Sequence, residues 1–165
     1  MIKNKIVLGV GLLIGITAGV SFAENRLSGT DLIDKNHTQS IFFNDVIQQT
    51  ESVTGKRGYY YNLKCYINNL LYPAEMNLLV QQIPNHFSQE TDILLNNQKI
   101  SRGNNGTATG MLQKGDNIIE LKNLTFPKKA HVELKFSTNT TDYPGMGYII
   151  NYCTYTYSLS KASTA

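Results

Sequence analysis

The side chains that most often carry acid, base, nucleophilic or metal chemistry are few in this chain: Cys65 and Cys153, His37, His86 and His131, and 12 acidic residues. A thiolate nucleophile needs a base beside it, and a metal needs three or four ligands at short recurring spacings. No histidine stands near either cysteine in sequence, so neither chemistry is well served. There is no Gly-x-Ser-x-Gly elbow, no His-Glu-x-x-His pair, no glycine-rich phosphate loop and no Asp-x-Asp-x-Asp-Gly calcium loop. Carboxylate pairs form in space, so Glu75, Glu90, Asp92, Asp116, Glu120, Glu133 and Asp142 could include two that face each other, but their spacing nominates none. His86 and His131 read as solvated or loop residues, with His131 on the outward side of its strand. No catalytic residue, metal ligand or cofactor is expected.

The cysteines have a simpler use. In an exported protein an oxidised pair is the default, and a monomer with two cysteines leaves only Cys65–Cys153. Closing a loop of nearly ninety residues would restrict the unfolded chain by on the order of 4 kcal/mol in the chain-entropy account.

The remaining chemistry lies in the tyrosines. The chain has 10 tyrosines and no tryptophan, and eight of the 10 gather around the cysteines: Tyr59, Tyr60, Tyr61 and Tyr66 near Cys65, and Tyr148, Tyr152, Tyr155 and Tyr157 near Cys153. A disulfide would bring the two groups together. By alternation with the cysteines, Tyr60, Tyr66, Tyr148 and Tyr152 point away from the core and form the candidate ligand-binding surface. Outward rings on adjacent strands can stack on a sugar or anchor a protein through ring and hydroxyl. Tyrosine is also a favoured strand residue, and a cross-strand ladder would stabilise a sheet without binding anything.

The elements that must carry these residues are strands. Tyr59, Tyr61, Leu63, Cys65 and Ile67 alternate with Tyr60, Asn62, Lys64, Tyr66 and Asn68, and Val132, Leu134 and Phe136 alternate with His131, Glu133 and Lys135. Tyr148 to Leu159 is rich in residues that fit a pleated surface. Ile93 to Ile100 and Ile118 to Phe126 are further predicted strands, the latter opened by a turn at Lys114-Gly115-Asp116-Asn117. The stretch 73–83 fits either a short helix after Pro73, with Met76, Leu79, Val80 and Ile83 on one face, or a strand ended by Pro84; its strand neighbours favour the strand. Short strands between Gly and Asn turns predict a mainly β fold, a two-sheet antiparallel β-sandwich of jelly-roll type with one disulfide.

The run Leu94-Leu95-Asn96-Asn97-Gln98-Lys99-Ile100 followed by Leu112-Gln113-Lys114-Gly115-Asp116-Asn117-Ile118-Ile119-Glu120-Leu121 resembles a hairpin pattern of jelly-roll modules of the galactose-binding type. The resemblance covers under a fifth of the chain and implies a sugar-binding candidate, with no binding residues transferred. Subunits of chaperone-assembled pili share export, size and a sandwich fold. The cysteine placement and the Ser-Lys-Ala-Ser-Thr-Ala tail do not resemble theirs.

Export itself is read from the start of the chain. Lys3 and Lys5, the apolar stretch Ile6 to Val20, and Ser21-Phe22-Ala23 form the three parts of a cleavable signal peptide over 1–23, of a compact bacterial kind. The stretch is too short and glycine-rich for a retained anchor, so no integral membrane segment is expected after cleavage. The expected organisation is then a single β-sandwich domain over 24–160 and a flexible tail over 161–165. Removing the leader takes two lysines and no acid from a chain of formal charge +3, leaving about +1 with both signs interspersed, which excludes a nucleic-acid stripe. Sequons at Asn36, Asn105, Asn123 and Asn139 would be silent in a bacterium.

Three functions fit these features. The first is an exported, non-catalytic binding module of the periplasm or cell surface, adhesin-like, recognising a carbohydrate or protein partner. The second is a structural or assembly component of the envelope. The third is a small secreted hydrolase or enzyme inhibitor.

Overall fold

The computed structural model describes residues 26–27, 32–55, 59–83, 91–125, 131–139 and 147–161. The signal segment, His86, Glu90, Asp142, the side chain of His131 and residues 162–165 lie outside the described residues. Among them ten strands and one helix run in the order β1 (Arg26–Leu27), β2 (Gln39–Phe42), α1 (Asn44–Thr54), β3 (Tyr60–Leu70), β4 (Ala74–Ile83), β5 (Asp92–Leu95), β6 (Gln98–Lys99), β7 (Thr107–Leu112), β8 (Gly115–Leu124), β9 (His131–Ser137) and β10 (Tyr152–Ser158).

The strands form two antiparallel sheets, β1-β10-β3-β8-β5-β6 and β2-β9-β4-β7, with β1 and β6 only two residues each. Their pairing has a simple logic. β1 pairs with β10, β2 with β9, β3 with β8 and β4 with β7, so the first four strands run back along the last four, and the β5–β6 hairpin sits at the turnaround. Rolling that double ribbon brings β10 against β3 and β4 against β9, which closes the two sheets. This is the jelly roll, and the alternation of buried and exposed residues supplies its core. Leu63, Cys65 and Ile67 from β3, Ile119 and Leu121 from β8, Met76, Leu78 and Val80 from β4, and Leu134 and Phe136 from β9 are all buried between the sheets. Each such side chain removed from water contributes roughly 1.5–3 kcal/mol of transfer free energy.

Cys65 and Cys153 are directly opposed in the β3–β10 register and form a disulfide with both residues fully buried. It is a bond between neighbouring strands of one sheet, so it locks the last strand beside β3.

The favoured strand reading of 73–83 holds as β4 (Ala74–Ile83), paired on both sides, whereas the short helix lies at Asn44–Thr54, where none was expected. That helix carries a short periodic signal, with Val46, Ile47 and Val53 at helical spacing, but Thr50 and Thr54 interrupt the apolar row and are β-branched. Tertiary contacts and its ends hold it. The Asn44 side-chain carbonyl accepts the Val132 N–H (3.0 Å), Val46 and Thr50 are buried, and Gly55 takes the left-handed conformation that stops the helix, its N–H donating to Glu51 O (2.9 Å). Ile93 to Ile100 is not one strand. Asn96 and Asn97 both adopt positive φ (49° and 66°), and as the two-residue turn between paired Leu95 and Gln98 they fold the stretch into the β5–β6 hairpin.

Five tyrosines lie inward, with Phe43. Tyr59 and Tyr157 meet edge to face (5.2 Å), and Phe43 does the same with Tyr61 (5.6 Å) and Tyr155 (5.9 Å). Phe43 and α1 thus cover one end of β3 and β10. The other end of β3, at Leu70, carries the candidate site. No helix among the described residues is long and apolar enough to cross a membrane.

Candidate functional site

The four candidate tyrosines separate in space. Tyr66 and Tyr152 are cross-strand neighbours on the outward face, their rings stacked at 4.5 Å with planes 20° apart. Tyr60 faces outward as expected but pairs with Ser158, six residues up the strand from Tyr66 and therefore roughly 20 Å away at about 3.3 Å per residue. Tyr148 does not face outward. It is 1% exposed, and its hydroxyl donates to Ser137 O (2.7 Å). The alternation that holds from Cys153 to Tyr157 breaks before β10, where Asn151 is exposed and its N–H donates to Tyr66 O (2.9 Å), so the phase cannot be carried back to Tyr148.

What the fold assembles instead is a pocket of about 300 Å³ at the open end of the sandwich, and Leu32, Leu71, Tyr72 and Ile149 are four of its lining residues. Those four are half of the eight exposed large hydrophobic residues among the described residues, with Leu71 71% and Tyr72 56% exposed. One wall is the end of β3. The register slips between Ile67 and Leu70, and Asn69 takes a positive φ (56°). The bulge is pinned by Asn68 N–H donating to Asn151 Oδ1 (2.7 Å) and Asn69 N–H donating to Asp116 Oδ1 (2.9 Å). Leu71, Tyr72 and Pro73 then cross to β4. The opposite wall is Gly147 to Ile149, held by reciprocal backbone bonds between Ile33 and Tyr148 (2.8 and 3.0 Å). A side chain at Gly147 would collide with the Ile33 carbonyl, so the close approach requires glycine.

The pocket is apolar with amides at its edge. Asn68, Asn69 and Asn151 also line it, and none of its lining residues is charged. Burial of the Tyr148 phenol raises its pKa well above the ordinary value, and its one proton is committed to Ser137 O, so it adds no charge and no free donor to the pocket. Such a site can take apolar side chains and hydrogen-bond a neighbouring backbone. The sequence reasoning passed over Leu71-Tyr72-Pro73, although two large apolar residues in an interstrand crossing are a signal in themselves.

The acid–base candidates remain dispersed. Asp92 pairs with Lys99 (2.6 Å), Glu120 lies 4.0 Å from Lys122, Glu133 accepts from the Ser40 hydroxyl, and Asp116 holds the β3 bulge. Asp34 meets His37 (2.8 Å) in an exposed turn, and the Asn36 N–H, followed by His37, holds its carboxyl below the usual range. Among the described residues no three His, Cys, Asp or Glu side chains group as metal ligands, and the disulfide takes both thiols out of nucleophile or ligand duty.

No family model, no curated protein and no solved structure matches this chain.

Proposed function

We propose that this protein is an exported, non-catalytic recognition module that seats an apolar side chain of a protein partner in the pocket at the open end of its jelly roll. The observation that carries this reading is the concentration of exposed Leu32, Leu71, Tyr72 and Ile149 around one cavity. Exposed apolar residues scattered singly need no explanation, whereas a cluster around a concavity marks an interaction surface. A peptide partner suits the lining: leucine and isoleucine walls favour an aliphatic or aromatic anchor, and the asparagine edge can meet the backbone that carries it. Export to the periplasm or cell surface is supported by the leader-like start and by the buried disulfide, which suits an oxidising compartment.

The test is panning a displayed random peptide library against the purified protein, with its mass in solution measured alongside. Enriched peptides should share an apolar anchor, bind a monomer, and lose at least about tenfold in affinity on Leu71→Asp, the equivalent of one well-buried apolar contact, while Phe42→Ser leaves binding unchanged. Peptides indifferent to Leu71→Asp would sink the reading. A stable oligomer that dissociates on Leu71→Asp would transfer the same pocket to an envelope assembly role.

A further inference from the structure

A second concavity of opposite character lies on the other sheet. Asn77 of β4 is in register with Ser137 of β9 on one side and Thr109 of β7 on the other, so three small polar side chains form one cross-strand row on the outward face. They floor a cleft of about 580 Å³, within the range of roughly 300–1,000 Å³ for small-molecule sites.

The wall over this floor is the segment 101–106, and it is tightly built. Arg102 bridges to Ala108, the Gly103 N–H donates to Thr107 O (2.9 Å), the Gly106 N–H donates to Gly103 O (2.9 Å), and Asn105 Oδ1 accepts the Thr107 N–H (3.0 Å). The floor is equally ordered. Asn77 is only 6% exposed, its Oδ1 accepts the Thr109 hydroxyl (2.7 Å), and its Nδ2 donates to Glu75 Oε1 (3.3 Å). With its proton given to Asn77, the Thr109 oxygen presents acceptor lone pairs, while the Ser137 hydroxyl can donate or accept.

The lining chemistry selects the ligand. Amides, hydroxyls and glycine backbone make up the surface, with no carboxylate and one cation, Arg102. A phosphate or carboxylate ligand would want convergent cations. Arg102 instead donates to Thr91 O, and Asp92 opposes its charge. A neutral molecule carrying several hydroxyls matches groups that both donate and accept.

We propose that this cleft binds a neutral saccharide, one sugar residue at a time, on the row Ser137–Asn77–Thr109 beneath the 101–106 wall. The site is independent of the apolar end pocket and takes a different class of ligand on a different sheet.

The test is titration of the isotope-labelled protein with the methyl glycosides of glucose, galactose, mannose and N-acetylglucosamine, followed by amide resonances. At least one glycoside should shift Gly103, Thr107 and Thr109 saturably. Thr109→Val and Ser137→Ala, checked for native amide dispersion, should each weaken it about three- to tenfold, the equivalent of one neutral hydrogen bond. Leu71→Asp should leave the affinity unchanged, which separates this site from the end pocket. No saturable shift with any glycoside, shifts confined to Leu32, Leu71 and Ile149, or tighter binding of inorganic phosphate at the same amides would each overturn the proposal.

Discussion

Tyr66 and Tyr152 stack across β3 and β10, one pair of rungs from the disulfide, with ring centroids 4.5 Å apart. Each ring therefore spends a face on the other, which is how a sheet-stabilising ladder uses tyrosine. A double-mutant cycle with Tyr66→Ser and Tyr152→Ser should give a coupling of about 0.5–1.5 kcal/mol in denaturant unfolding. Both variants should keep the fold. Peptide affinity at the end pocket should be unchanged, and its loss would return the tyrosine pair to the recognition surface.

The Cys65–Cys153 disulfide closes a separation of 88 residues between strands that are already neighbours. Replacing both cysteines with serine should lower stability by about 4 kcal/mol, chiefly by freeing the unfolded chain. Equilibrium denaturation of the two forms measures this. Because both cysteines are fully buried, reductant should open the bond in the wild type only at the rate at which the fold itself opens.

Several buried phenols make the fold sensitive to alkali. Burial pushes Tyr61 up to about 12 against an opposing Thr50 hydrogen bond, and it also raises Tyr148, Tyr155 and Tyr157. Below pH 10, the ordinary tyrosine value, both states hold these protons and the stability is fully present. Above it the unfolded chain binds fewer protons than the fold, so stability falls as pH rises toward 12. The part of the tyrosinate absorbance that comes from Tyr61, Tyr148, Tyr155 and Tyr157 should rise together with loss of the β-sheet circular dichroism. Its rise without that loss would contradict the burial of these rings.

Asn117 is a buried hub for the turns around β8. Its Oδ1 accepts from Gln113 N–H (2.9 Å) and Asn96 Nδ2 (2.9 Å), and its Nδ2 donates to Gln113 O (2.8 Å) and Gly115 O (3.3 Å). Asn117→Ala strands those groups and should cost about 1–3 kcal/mol. Thermal unfolding checks this, with Gln98→Ala on the exposed β6 expected within about 0.5 kcal/mol of wild type.

Gly147→Ala should cost about 1–3 kcal/mol through overpacking against the Ile33 carbonyl. Because Gly147 lies in the wall of the end pocket, the same change should also weaken peptide binding. An unchanged melting temperature and affinity would mean that the Ile33–Tyr148 bridge is not what sets that wall.

The sequence by itself determined the inward and outward rows of β3, β9 and β10, because period-two alternation acts within a strand and needs no partner to be read. It also determined that two cysteines of an oxidised monomer must pair, and that the fold is a two-sheet sandwich. Only the tertiary structure decided which residues meet. The phase of a strand is lost at an irregular residue such as Asn151, so Tyr148 turned inward against alternation. A helix as short as Asn44–Thr54, with threonines in its apolar row, exists because β9 and the tyrosine core hold it, which local propensity does not record. The end pocket joins Leu32, Leu71, Tyr72 and Ile149 from three separate stretches of chain, and the polar row joins Ser137, Asn77 and Thr109 from three strands. Both depend on the reverse pairing of the first four strands with the last four, and contacts of that range are set by the packing of the whole ribbon rather than by any local pattern.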